Sequence, residues 1–570
     1  MALDEQVQQE PPPDLPGEEP ASGGGGRRGR IEGRLPRYAW SGIVVALLMA
    51  ASSFTPSLLP RTWYLQGLIA GIAGAMGYAI GVTGAWLVRE VTTWRPAERT
   101  RRRAWRIVGW AAIPFTAATL LLGWRVQVHI HELVSKAAPA GYDSLAILVL
   151  GLLTFVALVA LSRLLRRFTR WTSRKLLTVI PARLTRPLAV VVVTLVVIGI
   201  LNGVIFRTFV SVSNSVFSVR DGATTEGTAQ PTAPERSGSP QSLIGWDTLG
   251  RKGRDFTGGG PTVAQISSFT GTPAMEPVRI YAGLQSAPTV EDRVHLAIKD
   301  LNRAGGFTRK ALVVVTTTGT GWVDEASVDT AEYMLGGDTA IVAMQYSYLP
   351  SWISFLVDKS KAQETGAALF NGIYDYWSTL PEARRPKLYA FGESLGTFGG
   401  ETAFSGLADV RNRTDGIVFA GPPNFNVLWS SLVAGRDPGS LERLPVYQQG
   451  QTVRWAATPA DLGQPPTPWP SPRMLYVQHA SDPVVWWSPH LLLHQPDWLR
   501  EPRGADVSGS MDWLPWVTFW QASADLAFST GVPPGHGHVY KQEYVDAWAA
   551  VTQPDGWTAE DTTRLREIIH

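Results

Sequence analysis

The chain has 570 residues, of which 45% are hydrophobic, and its 51 basic and 48 acidic residues give a net charge of +3. It contains no cysteine, so disulfides, thiolate zinc sites and cysteine nucleophiles are excluded. No basic patch interleaved with aromatic residues is present, and a nucleic-acid partner is therefore not expected. The length allows a membrane bundle and one soluble domain with a full core.

Residues 1–37 are rich in proline, glycine and charged residues. Such a segment buries too little apolar surface to fold, so it is predicted to be a disordered tail.

Five uncharged stretches occupy most of residues 38–206. They cover residues 38–60, 62–88, 107–124, 144–162 and 187–206. A hydrocarbon core about 30 Å thick requires about 20 apolar residues of helix, and each stretch meets that length. Residues 38–206 are therefore predicted to form an α-helical transmembrane domain of five spans. The expected location is the cell membrane, with membrane lipids as partners.

Basic residues gather in every second gap between these stretches, namely before residue 38, at 89–106 and at 163–186. By the positive-inside rule, this pattern predicts a cytoplasmic N-terminus. An odd number of spans then places everything after Phe206 outside the cytoplasm.

The second stretch carries Gly67 and Gly71, and then Gly77 and Gly81, at the GxxxG spacing that lets helix backbones approach closely. Packing within one chain accounts for such a face. A homo-oligomer formed through Gly67 and Gly71 is the alternative.

Residues 207–242 are rich in Ser, Thr, Gly and Pro and are predicted to be a linker. Residues 243–570 are predicted to form an extracytoplasmic domain in which strands alternate with helices. The strands are expected at 278–281, 311–317, 340–345, 388–391, 416–420 and 474–478, and the helices at 290–303, 325–335, 360–378 and 395–409. This alternation predicts a mainly parallel sheet with helices on both faces, and functional groups at the carboxyl ends of the strands.

The motif Gly392-Glu393-Ser394-Leu395-Gly396 follows an expected strand and opens an expected helix. A serine at such a turn has strained dihedral angles, and flanking glycines avoid the resulting clashes. Its hydroxyl is exposed next to the N–H groups of the helix N-terminus. Ser394 is therefore predicted to be a nucleophile.

An activated serine requires a histidine base and an acid that orients the base. In this type of fold the acid follows a later strand and the histidine lies in a final loop. Asp482 has the expected position for the acid. His536 and His538 compete for the base, and a Gly-His-x-aromatic turn favours His538, which precedes Tyr540.

An oxyanion hole requires two N–H donors directed at the developing negative charge. The backbone of Leu395, directly after the serine, is expected to supply one. Gly319 or Thr320, after the strand at 311–317, is expected to supply the other, since small residues there let the backbone approach a bound carbonyl group.

Five segments carry a resemblance to a known family. They are residues 318–324 (TGTGWVD), 338–352 (DTAIVAMQYSYLPSW), 391–401 (FGESLGTFGGE), 479–488 (HASDPVVWWS) and 532–540 (VPPGHGHVY). In these segments the chain resembles the actinobacterial membrane-anchored α/β-hydrolase family. The resemblance covers nearly the whole chain after residue 38. It implies a multi-span region followed by an α/β-hydrolase domain, and it matches the triad positions named above.

These observations predict a serine esterase or lipase that acts through an acyl-enzyme on acyl esters or lipids of the cell envelope. Residues 483–533 favour a lipid substrate because indole rings suit apolar pockets and membrane interfaces; this stretch holds Trp486, Trp487, Trp498, Trp513, Trp516 and Trp520. An acyltransferase with the same triad is the first alternative, and a non-catalytic scaffold or transport-associated protein is the second.

Neither a metal nor an organic cofactor is expected for this chemistry. His129 and His131 in the second outer loop lie two positions apart, so they do not share a helix face as a pair of metal ligands would.

Overall fold

The structure is a computed structural model that describes residues 39–92, 96–139, 143–178 and 180–569. The predicted tail, residues 1–37, lies outside the described residues. Helices α1 to α6 and the loops between them are termed the membrane bundle. Its helices are α1 (Trp40–Ser52), α2 (Trp63–Thr92), α3 (Glu98–Leu133), α4 (Ser144–Leu176), α5 (Ala182–Ile198) and α6 (Arg207–Asp221), and a π-helical segment (Gly199–Phe206) joins α5 to α6.

Among the described residues, four helical stretches are long and apolar enough to cross a membrane: Trp63–Thr92, Glu98–Leu133, Ser144–Leu176 and Arg183–Asp221. These stretches indicate a membrane protein. The five predicted spans are not confirmed, because α1 has only 13 residues. At about 1.5 Å per residue, α1 is about 20 Å long and shorter than a hydrocarbon core. Its stretch also contains Pro56 and Pro60, which cannot continue a helix.

The glycine face of α2 packs against the chain's own helices. A Cβ added to Gly71 would lie 2.5 Å from the Thr154 side chain of α4, and one added to Gly77 would lie 2.5 Å from the Val45 carbonyl oxygen of α1. Gly67 likewise approaches α4. The face that the sequence offers for a homo-oligomer is therefore covered within one copy of the chain.

Residues 207–242 differ from the expected linker. The first part is α6, which continues the last apolar helix without a break. In the second part, Arg236 is buried and donates hydrogen bonds to the carbonyl groups of Thr257 and Gly259. Ser237 donates to Asp300 Oδ2 over 2.8 Å. The polar composition of this segment suggests a flexible tether, but its polar side chains form hydrogen bonds with the sheet domain.

Residues 243–569 form a second unit, termed the sheet domain. Its described residues contain one sheet of seven parallel strands in the order β1-β3-β2-β4-β5-β7-β6. The strands are β1 (Val278–Ala282), β2 (Ala311–Thr316), β3 (Thr339–Met344), β4 (Lys387–Glu393), β5 (Gly416–Ala420), β6 (Val453–Ala456) and β7 (Arg473–Val477). Six lie close to their predicted bounds. The seventh strand, β6, has only 4 residues, too few to show a periodic pattern of apolar residues in the sequence.

Helices surround the sheet, whose strands are buried almost throughout. They are α7 (Gly250–Gly258), α8 (Val263–Thr270), α9 (Val290–Arg303), α10 (Glu325–Met334), α11 (Ser351–Val357), α12 (Lys359–Thr379), α13 (Leu395–Glu401), α14 (Leu407–Arg413), α15 (Val427–Ala434), α16 (Pro483–Trp486), α17 (Val517–Ala527), α18 (Glu543–Thr552) and α19 (Ala559–Ile568). The helix expected at 395–409 is divided into α13 and α14. The carboxyl ends of β2, β4, β5 and β7 meet at one edge, where the predicted site residues lie.

Candidate active site

Ser394 lies in a strained turn between β4 and α13. Its φ and ψ are 55° and −126°, a combination that a non-glycine residue adopts only when its surroundings impose it. A Cβ on Gly392 would lie 2.6 Å from the Gly396 carbonyl, and a Cβ on Gly396 would lie 2.2 Å from the Thr316 carbonyl oxygen. Both glycines are therefore required for this turn. The Ser394 N–H donates to the carbonyl oxygen of Ala420 at the end of β5 over 2.9 Å.

Asp482 and His538 form a buried pair. His538 Nδ1 lies 2.7 Å from Asp482 Oδ2, although the two residues are 56 positions apart. Asp482 follows β7 and caps α16, where its Oδ1 accepts the Val484 N–H over 2.8 Å. Its Oδ2 also accepts the hydroxyl of Tyr540 over 2.6 Å. The carboxylate is thus held from both sides with one oxygen directed at the imidazole ring.

The His538 ring lies over Gly421. Gly421 directly follows Ala420, and the Ala420 carbonyl oxygen accepts the Ser394 N–H. A Cβ on Gly421 would lie 2.4 Å from His538 Cε1, so the ring occupies the space that glycine leaves open. His538 Nε2 is buried and has no hydrogen-bond partner among the described residues. This nitrogen is therefore available to accept a proton.

Opposing effects act on the pKa of His538. Burial alone would lower it, because the charged imidazolium loses its hydration. The charge of Asp482, its hydrogen bond and the charge of Glu393 act in the other direction, and the pKa is raised above its usual value of 6.5. The imidazolium form that proton transfer creates is therefore stabilised in place.

Among the described residues, His536, the competing candidate, forms no hydrogen bond or ion pair with Asp482. Its Nδ1 lies 3.9 Å from Asp506, which also accepts the Ser481 N–H. A third histidine, His479, packs behind the site: its ring stacks on Tyr540 at a centroid distance of 4.2 Å. The structure therefore brings His538, and not His536, to the predicted acid.

The predicted oxyanion donors lie at the ends of β2 and β4. Within the described part of the chain, no backbone carbonyl group accepts the N–H groups of Leu395, Gly319 or Thr320. The Gly319 backbone is tightly packed, since a Cβ would lie 2.6 Å from the Leu349 carbonyl oxygen. The contact between Gly396 and the end of β2 brings the two donor segments next to each other.

Glu393 is a buried acid that the sequence analysis did not single out. It precedes Ser394 and accepts the Tyr544 hydroxyl over 2.5 Å. Burial raises its pKa to about 8, and the charge of Asp324 adds to this shift, while His538 and Lys541 oppose it. The sequence signal that could have indicated Glu393 is a charged residue at the end of an apolar strand.

Apolar side chains pack beside the serine. Leu395 and Phe398 of α13 form a small cluster with Phe355 of α11, and Phe425 and Trp487 cover it. Trp487 is one of the tryptophans predicted to face a substrate. Trp486 and Trp498 belong to the main core instead. The predicted tryptophan-rich stretch thus serves both core packing and the surroundings of the serine.

A cavity of about 400 Å³ lies beside the turn after β2. It connects this turn to the end of α6, and it is lined by Phe217, Arg220, Asp221, Arg251, Lys252, Thr318, Thr320, Trp322, Tyr348, Pro350 and Ser351. One wall thus belongs to the helix that leaves the membrane bundle, and another carries a predicted oxyanion donor.

Comparisons with known proteins agree with this architecture. Residues 278–565 match the model of a family described as the alpha/beta-hydrolase family. Residues 54–261 match the model described as the alpha/beta-hydrolase family N-terminus. No curated protein and no solved structure is similar enough to match the chain.

Proposed function

Since the chain belongs to the alpha/beta-hydrolase family, we propose that it is a membrane-anchored serine hydrolase, an esterase or lipase that acts on acyl esters or lipids of the cell envelope. The observation that carries the proposal is the buried pair of His538 and Asp482 beside the strained turn of Ser394. An imidazole with one nitrogen on a carboxylate and the other open is the arrangement that activates a serine hydroxyl.

In the proposed mechanism, Ser394 Oγ attacks the carbonyl carbon of an ester while His538 Nε2 takes the hydroxyl proton. The negative oxygen of the tetrahedral intermediate is held by the N–H groups of Leu395 and of Gly319 or Thr320. His538 then gives its proton to the leaving alcohol, which leaves an acyl group on Ser394. A water molecule, deprotonated by His538, releases the acid and restores the serine. Asp482 keeps the imidazole in one tautomer throughout.

The cavity beside the oxyanion turn supports a lipid substrate with an anionic headgroup. Arg220, Arg251 and Lys252 bring positive charge to its wall, which Asp221 in the same wall and the pairing of Lys252 with Asp255 over 3.0 Å offset in part; Trp322 offers an aromatic surface. The cavity lies between the end of α6, which continues the last apolar helix, and the turn after β2 that carries Thr320. The apolar cluster around Leu395 is suited to the acyl chain.

The charge distribution supports an extracytoplasmic position of the sheet domain. The membrane bundle contacts this domain through residues 53–61, between α1 and α2, and through Lys136, between α3 and α4; both loops hold few basic residues. The opposite ends of α3 and α4 carry arginine clusters, which the positive-inside rule assigns to the cytoplasm. Because the chain has no cysteine, single cysteines at Ala97 and Thr558 can test this orientation with an impermeant maleimide. The proposal predicts labelling of intact cells at Thr558 alone.

Fluorophosphonate labelling of membranes tests the proposed chemistry. The wild-type protein is expected to be labelled, the Ser394→Ala variant to lose all label, and a Ser405→Ala variant, altered at an exposed serine near α14, to keep it. Absence of label on folded wild-type protein would contradict the proposal and favour a non-catalytic scaffold.

The products distinguish hydrolysis from acyl transfer by the same triad. Incubation with a long-chain phospholipid and an added sugar alcohol is expected to release free fatty acid. Acylated alcohol as the main product would instead identify an acyltransferase.

A further inference from the structure

A buried ion pair joins the loop between α1 and α2 to the sheet domain. Arg61 Nε lies 3.3 Å from Oδ1 of Asp525 in α17, and the two side chains are 1% and 0% exposed. The other carboxylate oxygen, Oδ2, accepts the N–H groups of Leu58 (3.0 Å) and Leu59 (3.4 Å). Removing one partner of such a pair leaves the other charge uncompensated in the interior, so this contact strongly favours a single arrangement.

The same loop belongs to the hydrophobic core of the sheet domain. Leu58 and Leu59 are buried within that core. Gln521, one helical turn before Asp525, donates from Nε2 to the carbonyl groups of Ser53 (3.2 Å) and Thr55 (3.0 Å). Residues 53–61 are therefore built into the sheet domain as one of its own segments.

Helix α17 leads directly into the loop that carries His538. The His538 N–H donates to the Ser529 carbonyl over 2.9 Å and closes this loop. Gly537, which precedes the histidine, has a φ of +53°, and a Cβ there would lie 3.4 Å from the Leu59 side chain. Leu59 of the membrane bundle thus packs against the backbone next to His538.

A second loop of the membrane bundle contacts the same segment. Lys136, between α3 and α4, donates from Nζ to the Gly531 carbonyl over 2.6 Å. The rings of Tyr64 at the start of α2 and Phe528 at the end of α17 lie 6.0 Å apart. Residues 528–538 are therefore in contact with the membrane bundle at several points.

We propose that Arg61 and Lys136 are positioning residues for His538, so that the membrane bundle holds the histidine loop in its active geometry in addition to anchoring the enzyme. The inference rests on the proposed function, in which His538 is the general base. A general base must lie within hydrogen-bond reach of the serine hydroxyl, and a displacement of about 1 Å can lower the rate by about 100-fold.

The test compares Arg61→Met with Arg279→Met in the full chain, purified from membranes, with a p-nitrophenyl ester as substrate. Arg279 is a matched control because it is fully buried and paired with Glu332, but on β1, away from the histidine loop. Arg61→Met is expected to lower kcat by about 10- to 100-fold with KM within about twofold, because the geometry of the base changes while the binding cavity does not. Arg61→Lys is expected to recover part of kcat. Equal kcat values in both methionine variants would overturn the inference.

A second pair of variants covers the case in which Arg61→Met fails to fold. Lys136 is exposed and its partner is a neutral carbonyl group. Lys136→Met therefore removes one hydrogen bond to the histidine loop and leaves no buried charge without a partner. We expect a loss of kcat of about 2- to 5-fold, since a single hydrogen bond to a charged donor contributes modestly. Lys299→Met, at an exposed lysine of α9, serves as the control. A Lys136→Met rate equal to that of Lys299→Met would overturn the inference.

Failure of the proposed function gives a different result. In that case the wild-type protein itself shows no Ser394-dependent turnover, and no variant can be compared. Wild-type turnover with unchanged kcat in the Arg61 and Lys136 variants leaves the serine hydrolase intact and rejects only the positioning role.

Discussion

Ser394 and His538 are held in place by different parts of the molecule. Ser394 is positioned within the sheet, where Gly396 packs against the Thr316 carbonyl of β2 and the Ser394 N–H donates to the Ala420 carbonyl of β5. His538 lies in a loop whose contacts come from Asp482, 56 positions away, and from Lys136, whose partner Gly531 is 395 positions away. A site assembled in this way has a rigid serine and a histidine whose position depends on the packing of the whole molecule.

The largest expected effect concerns the histidine side of this comparison. His538→Ala is expected to lower kcat by about 10⁴-fold or more, because a serine without its base retains only residual catalysis. His536→Ala is expected to change kcat by less than about tenfold, since His536 faces Asp506 and acts only through the loop. Ester turnover in purified membranes measures both. A larger loss of kcat in His536→Ala than in His538→Ala would mean that His536, and not His538, is the base.

On the serine side, Gly396→Ala tests whether backbone packing against β2 holds the turn. The new methyl group would lie 2.2 Å from the Thr316 carbonyl, which belongs to a buried strand and cannot move aside. Overpacking of this kind costs about 1–3 kcal/mol, and we expect turnover to fall by about 100-fold as the serine shifts. Gly509→Ala is the control, because no atom lies within 4 Å of its added Cβ. Thermal unfolding and fluorophosphonate labelling rates measure the difference between the two variants. Equal values would show that packing against β2 does not hold the turn.

Glu393 connects the two sides, and its titration makes stability depend on pH. Its pKa of about 8 lies above the usual value near 4.5, mainly because of burial, so the folded state binds a proton that the unfolded state releases. Stability is therefore expected to fall as pH rises from 5 to 8. The raised pKa of His538 acts in the same direction. Glu393→Gln is expected to make the melting temperature fall less between pH 5 and pH 8. Each kcal/mol of pH-dependent unfolding free energy that the variant removes corresponds to about 2–4 °C. An unchanged slope would show that Glu393 does not titrate in this range.

The smallest expected effect concerns the cavity beside the oxyanion turn. Arg251→Gln is expected to raise KM for an anionic phospholipid by about 3- to 10-fold, the size of one partly exposed charged contact. KM for a neutral p-nitrophenyl ester should stay the same and serves as the internal control. The effect should also shrink at high salt. Equal changes of KM for both substrates would show that the headgroup does not bind in this cavity.

Much of the fold follows from local sequence patterns. Six of the seven strands of the sheet and the helices at 290–303 and 325–334 lie close to their predicted bounds, because apolar runs and amphipathic spacing act over a few residues. The turn at Ser394 and the position of Asp482 after β7 are visible for the same reason. The catalytic roles of these residues remain predictions that the experiments above test.

Other features depend on contacts that no local pattern encodes. Residues 53–61 follow the end of α1 and are held in the sheet domain by Asp525, which accepts the Leu58 N–H and pairs with Arg61. The supposed linker is fixed by the hydrogen bonds of Arg236 and Ser237. Glu393 has a raised pKa only because other elements bury it.

The sequence by itself determined the apolar helices, the parallel sheet, the serine turn and the acid after β7, because each arises from residues that are neighbours along the chain. Only the tertiary structure shows which of His536 and His538 contacts Asp482. In the sequence, the Gly-His-x-aromatic turn favours His538 but leaves His536 as a competitor; in the structure, Gly537 has a φ of +53°, the His538 N–H donates to Ser529, and His538 contacts Asp482. The packing of Leu59 against that glycine, from the other end of the chain, is likewise a product of the folded molecule alone.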